Sequence, residues 1–183
     1  MAGLLASYQS FLSRNPLLGN SVSAAALFAT GDGIAQQYVE KKGRDHDWIR
    51  TGRIVLWGGG LFAPVVTQWF KILEKVPIKN KVAATATRVG LDQFVFAPIV
   101  LTTFFSFMGL LEGKEKENVQ EKLKNDLVPT LKANWMVFIP TQAVNMALIP
   151  LQYRLLTINL VNIPWNTYLS IQANKDSKSV LKE

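Results

Sequence analysis

VGLDQFVFAPIVLTTFFSFMGLL, residues 89–111, decides the fold class. As a helix, about 20 apolar residues cross the roughly 30 Å hydrocarbon core of a bilayer. This run is long enough, and its one charge is Asp92, in the first turn. A surface helix of a soluble domain needs only one apolar face. The chain therefore reads as an all-α integral membrane helical bundle. Asp92, the adjacent Gln93 and the triplet Phe96-Ala97-Pro98 then need a reason to be there.

Three more runs on either side fit the same reading, giving four transmembrane helices. Residues 17–39 hold a single charge, Asp32, with Gln36 one turn further on the same side. Ser21, Ala25, Ala29 and Gly33 recur every fourth residue, a small-residue face that lets a neighbouring helix come close. Residues 54–73 contain Gly58, Gly59, Gly60 and Pro64, which would break a helix in water but are tolerated in a membrane bundle. Residues 133–151 carry Gln142 and Asn145 on one face. A fifth apolar run, 155–171, is 17 residues long and contains Pro164, the short limit for a crossing. Residues 3–13 read as a short amphipathic helix at the membrane surface, ending at Asn15-Pro16. Residues 1–173 form a single domain, and 174–183 a polar tail.

The loops hold the charge. Residues 40–53 are polar, 71–88 basic, and 112–132 mix five acids with five bases, an exposed helical loop ending near Pro129. With four spans, Lys and Arg divide ten to each side, so the positive-inside rule does not choose an orientation.

Composition excludes several classes. No cysteine means no disulfide, cysteine-ligated zinc or thiol catalysis. The one histidine, His46, cannot build a multi-histidine metal site. No nucleophile–base pair is visible, so neither an enzyme nor a cofactor is expected. The net charge of +7 is spread over the loops without interleaved aromatics, which points to anionic lipids rather than nucleic acid.

Ionisable groups inside a membrane usually meet a partner or water. Asp32 has Arg53 entering the next span on the same side. Asp92 has Arg88 one turn before it, and Arg154 ends the fourth span on that side. Gln93, Gln142 and Asn145 either bond across helices or line a wet path. One reading is a polar seam of Asp32, Gln36, Asp92, Gln93, Gln142 and Asn145, gated by pairing with Arg53, Arg88 or Arg154. The other is packing alone, in a scaffold that conducts nothing.

Six motifs in order then matter together: GDGIAQQ (31–37), DWIRTGR (47–53), Pro64 with Trp69-Phe70-Lys71, DQFVFAP (92–98), Asn134-Trp135, and NMALIPLQYR (145–154) with WNTYLS (165–170). The chain resembles the Mpv-seventeen / peroxisomal membrane protein family over nearly its whole length, and most of all the mitochondrial Sym-one-like branch. The resemblance implies a four-helix, multi-pass protein of the mitochondrial inner membrane, more than of the peroxisomal membrane. It implies a channel of low selectivity for small solutes or ions. The associated roles are membrane-potential and metabolite homeostasis, mitochondrial DNA maintenance and stress tolerance. The arginine of the family's D-x-x-R-T element falls on Arg50, whose disruption is associated with loss of function. One departure is in the fourth span, where Phe138 and Ile139 replace the family's Trp-Pro and proline follows at Pro140. That displaces the helix bend by one residue, about 100° of rotation. A bundle this small is narrow, so a wide pore requires a homo-oligomer.

Overall fold

Punctuation residues set where the helices begin and end. In the computed structural model, which describes residues 15–173, five continuous helices follow one another. The expected amphipathic helix at 3–13 and the polar tail lie outside the described residues. Helix α1 (16–39) starts with Pro16 in its first turn, where its missing N–H costs nothing. Helix α2 (48–74) is capped by Asp47, whose carboxylate accepts the Arg50 N–H at 2.9 Å. Helix α3 (Lys81–Leu111) is capped by Asn80, which accepts from the N–H groups of Val82 and Ala83. It ends at Gly113, whose φ of +70° suits glycine, with Gly113 and Lys114 returning N–H bonds to Leu110 and Gly109. Helix α4 (Lys116–Leu148) stops where Pro150 holds Ile149 extended, and α5 (Leu151–Ala173) follows at once.

Three boundaries differ from the sequence reading. The cap at Asn80 starts α3 eight residues earlier than expected, so Asp92 sits about 16 Å inside the helix rather than in its first turn. Helix α2 begins at Trp48, not 54, which brings Arg50 into the helix. The mixed-charge segment is no separate loop helix ending at Pro129. It runs through Pro129 and Pro140 into the apolar half as one helix of 33 residues. Packing of Leu131, Asn134 and Phe138 against the rest of the bundle holds α4 together past the N–H groups the prolines lack.

Helices α1, α2 and α3 each widen into a π turn, at Ala35–Val39, Leu56–Phe62 and Asp92–Phe96. Two of these precede a proline. Pro64 and Pro98 would collide with the carbonyls four residues back, Gly60 and Phe94, and both lie in the widened turn.

Helix α1 packs along α5 and against the widened turn of α2, α3 packs along α4, and α4 meets α5. The glycine cluster works as close packing. A Cβ on Gly58 would come within 2.4 Å of the Phe28 ring, and one on Gly59 within 2.9 Å of the Ala25 Cβ and the Ser21 carbonyl. The small-residue face of α1 is thus used at Ser21 and Ala25 but not at Gly33, which has open space around it. Trp57 meets Phe104 edge-on, and Phe138 meets Trp165 the same way.

Polar side chains share the interior with the apolar core, and large apolar side chains face outward. Asp32, Gln36, Arg50, Asp92, Gln93, Gln142, Asn145, Asn162 and Asn166 are buried, while Val22, Val65, Ile99, Met136 and Leu160 face outward on successive helices. By length and apolar composition, one helix among the described residues, α3, qualifies to cross a membrane.

Candidate functional site

The first polar centre joins α1, α2 and α5. Arg50 lies one turn past its Asp47 cap, and its guanidinium divides among acceptors of two other helices, α1 and α5. Its Nε is 2.9 Å from Asp32 Oδ1, its NH1 3.0 Å from both Glu40 oxygens, and its NH2 donates to Ser170 Oγ at 2.7 Å. Asp32 also accepts from Ser170 Oγ at 2.5 Å, Thr51 Oγ1 at 2.5 Å and Gln36 Nε2 at 2.8 Å. The Gln36 oxygen takes the Asp47 N–H at 2.7 Å, tying the cap of α2 to α1. His46 Nε2 reaches Thr51 Oγ1 at 2.9 Å. Asp32 is fully buried and Arg50 is 2% exposed.

Asp32 therefore has its cation, but it is Arg50 and not Arg53. Arg53 is half-buried and makes no ion pair among the described residues. The expectation failed because it left Arg50 in a loop, whereas the helix already includes it.

The second centre joins α2, α3 and α4. Asp92 Oδ1 accepts from Trp69 Nε1 at 2.9 Å, and Oδ2 from Gln93 Nε2 at 2.7 Å and Gln142 Nε2 at 2.8 Å. The Gln93 side-chain oxygen accepts from Asn134 at 2.9 Å and its carbonyl from Trp135 Nε1 at 2.8 Å. Asn145 donates to Gln142 Oε1 at 3.1 Å. Every donor to Asp92 is neutral.

Arg88 and Arg154 do not serve Asp92; both pair with Glu74, at the end of α2. Arg88 also donates to the carbonyls of Leu73 and Glu74, and Arg154 to those of Ile149 and Met146. These are carbonyls at the ends of α2 and α4, which have no partner within their own helix and favour a nearby cation. Arg88 and Asp92 are one turn apart on α3, but the Arg88 guanidinium is taken up by the carboxylate and carbonyls at the end of α2.

The expected seam is therefore two centres. Asp32 and Gln36 belong to one; Asp92, Gln93, Gln142 and Asn145 to the other. Along α2, Thr51 and Trp69 stand on the order of 25 Å apart. Between the centres lies a cavity of about 80 Å³, where aromatic rings of all five helices meet Asp92, Gln142, Asn162 and Asn166. Helix α5 links the levels: Asn162, Asn166 and Ser170 recur every fourth residue and are all buried. Both amide atoms of Asn166 are buried without a hydrogen-bond partner. Gly31 brings α1 onto this stripe, since a Cβ there would fall 2.5 Å from the Asn166 Cβ.

Sequence reasoning did not single out Glu40, Thr51, Trp69, Glu74, Asn134, Asn162, Asn166 or Ser170 as site residues, although Thr51, Trp69, Asn134, Asn166 and Ser170 lie in the quoted motifs. The spacing of Asn162, Asn166 and Ser170 is readable as a polar helix face. Among the described residues, no three His, Cys, Asp or Glu side chains gather into a metal site.

Known proteins resemble this chain along most of its length. The Mpv17 / PMP22 family pattern matches residues 109–170. Protein SYM1 of Gibberella zeae is 48% identical over 173 residues, covering 93% of this chain and 97% of its own. Protein SYM1 of Saccharomyces cerevisiae is 37% identical over 179 residues, 94% of this chain and 91% of its own. The Danio rerio protein named mitochondrial inner membrane protein Mpv17 is 35% identical over 176 residues, 96% and 99% respectively. No solved structure matches.

Proposed function

The chain belongs to the Mpv17 / PMP22 family and is a mitochondrial inner-membrane protein, and we propose that it passes small ions or solutes across that membrane. The observation that carries this reading is the polar stripe on α5. It runs from the Arg50–Asp32 centre to the cavity beside Asp92, through an otherwise apolar bundle. A core that only packs has little use for unpartnered amides; polar side chains facing a shared space are how channels replace a hydration shell.

On this reading four helices cross the bilayer, with α5 packed among them as the lining helix, and the outward apolar residues meet lipid. Anionic headgroups meet the basic loops. The route is shut at the Arg50 centre, where Arg50, Asp32 and Ser170 hold one another, so opening means parting Arg50 from Asp32 or Ser170. Uptake of ions through this path would couple the protein to membrane potential and, through metabolite supply, to mitochondrial DNA maintenance and stress tolerance. The cavity is too small for large solutes, which would need an oligomer.

Planar-bilayer recording of the purified protein tests it, beside Asn166→Leu. Wild type should give discrete currents, and Asn166→Leu, which interrupts the stripe, should lose most of them while still inserting. Equal currents from both would remove α5 from the path.

One observation favours a second reading. Asp32 is fully buried with all its partners in place, as in a centre that only locks helices. A scaffold of this kind would leave vesicles solute-tight and co-purify with inner-membrane partners.

A further inference from the structure

Asp92 is the buried acid whose charge nothing in the described chain balances. Asp32 faces the Arg50 guanidinium, and Glu74 faces Arg88 and Arg154. Asp92 has only the amides of Gln93 and Gln142 and the Trp69 indole. An ionised carboxylate offers about four acceptor positions, and three are filled here. The group is 4% exposed and lines the central cavity.

A second, independent feature faces the same space. Asn166 lines the cavity, is 2% exposed, and has neither its oxygen nor its nitrogen bonded. A buried amide with no partner is costly unless something outside the chain satisfies it.

We propose that the cavity is a binding site for a small monovalent cation. Asp92 supplies the counter-charge, Asn166 Oδ1 supplies an oxygen ligand, and a water of the hydration shell accepts from Asn166 Nδ2. The valence follows from charge, since a single carboxylate balances one positive charge and Asp92 is the one acid among the residues lining the cavity. Oxygen donors suit hard cations, and the aromatic side chains of Trp57, Phe104 and Trp165 line the same space. Size agrees. A water needs roughly 10–15 Å³ of such space, so about 80 Å³ takes an alkali ion with part of its shell, or a methylammonium ion. It does not take a nucleotide or a sugar. The site goes beyond the conduction reading, because a protein that conducts nothing would hold the same ion.

The test is thermal unfolding of the full chain in detergent micelles at constant ionic strength. Potassium, sodium or methylammonium chloride replaces N-methyl-D-glucamine chloride, whose cation is too large to enter. The melting temperature should climb by about 5 °C or more at saturation with at least one small cation, and the three salts distinguish an inorganic from an organic occupant. Asp32→Asn should melt lower yet keep the response. Asp92→Asn should lose it, and Asn166→Ala should shift it to higher concentration. If Asp92→Asn yields no folded protein, wild type and Asn166→Ala still decide. Equal melting of wild type in all four salts overturns the proposal, as does a response unchanged in Asn166→Ala or retained in Asp92→Asn.

Discussion

The two buried aspartates solve the same problem in opposite ways. Asp32 is neutralised by a guanidinium that also holds Glu40 and Ser170, so three helices close on one ion pair. Asp92 is held by two amides and an indole, with no cation in reach and a cavity beside it. The first arrangement is complete within the chain; the second leaves a charge to be met from outside. A polar group in a membrane bundle can thus be a lock or a site, and its partners tell which.

The heaviest blow to this contrast is Arg50→Gln. It leaves Asp32 and Glu40 buried together without their cation, and breaking such a pair costs about 3–5 kcal/mol. Thermal unfolding in detergent should show the lowest melting temperature of any single change here, and Arg50→Lys should recover only part of it. A variant as stable as wild type would mean the first centre is no lock.

Gly31→Ala attacks the contact between α1 and α5 without touching a charge. The new methyl meets Asn166, and overpacking of this kind costs about 1–3 kcal/mol. Its effect should fall on the Asp32–Ser170 bond and leave the Asp92 cluster intact, as proteolytic nicking mapped along the chain would report.

Asp92→Asn keeps the shape and turns an amide N–H toward Gln93, Gln142 or Trp69. One unmet donor costs about 1–3 kcal/mol, so it should unfold less readily than Arg50→Gln. A greater loss than from Arg50→Gln would reverse the assignment of lock and site.

The smallest effect belongs to Arg53→Gln. Arg53 has no ion-pair partner among the described residues, so stability should move by no more than about 0.5 kcal/mol. Measured beside Arg50→Gln, it separates two arginines one turn apart, and a large loss from it would restore Arg53 as the partner of Asp32.

That last pair also shows how far the sequence could be read. Helix class and the weight of Asp32, Asp92, Gln93 and Gln142 follow from apolar run length and the cost of intramembrane polarity. Pairing did not follow, because hydropathy places a helix start where polarity ends. Asp47 and Asn80 start α2 and α3 inside the polar segments instead. The early start of α2 gives Asp32 to Arg50, and Arg88 goes to Glu74 because the end of α2 meets it. Asn166 was missed for another reason: its spacing with Asn162 and Ser170 marks a polar face, but the sequence of one helix does not show that a neighbouring helix encloses that face.

The central claim is that Asp92, not Asp32, sets the charge of a conducting path. Reversal potentials in asymmetric potassium chloride, recorded from reconstituted wild type and Asp92→Asn with insertion verified, test it most directly. The account predicts cation-preferring wild-type currents and, for Asp92→Asn, a reversal potential moved toward zero. An unchanged reversal potential in Asp92→Asn, or a silent bilayer with wild type inserted, would contradict it.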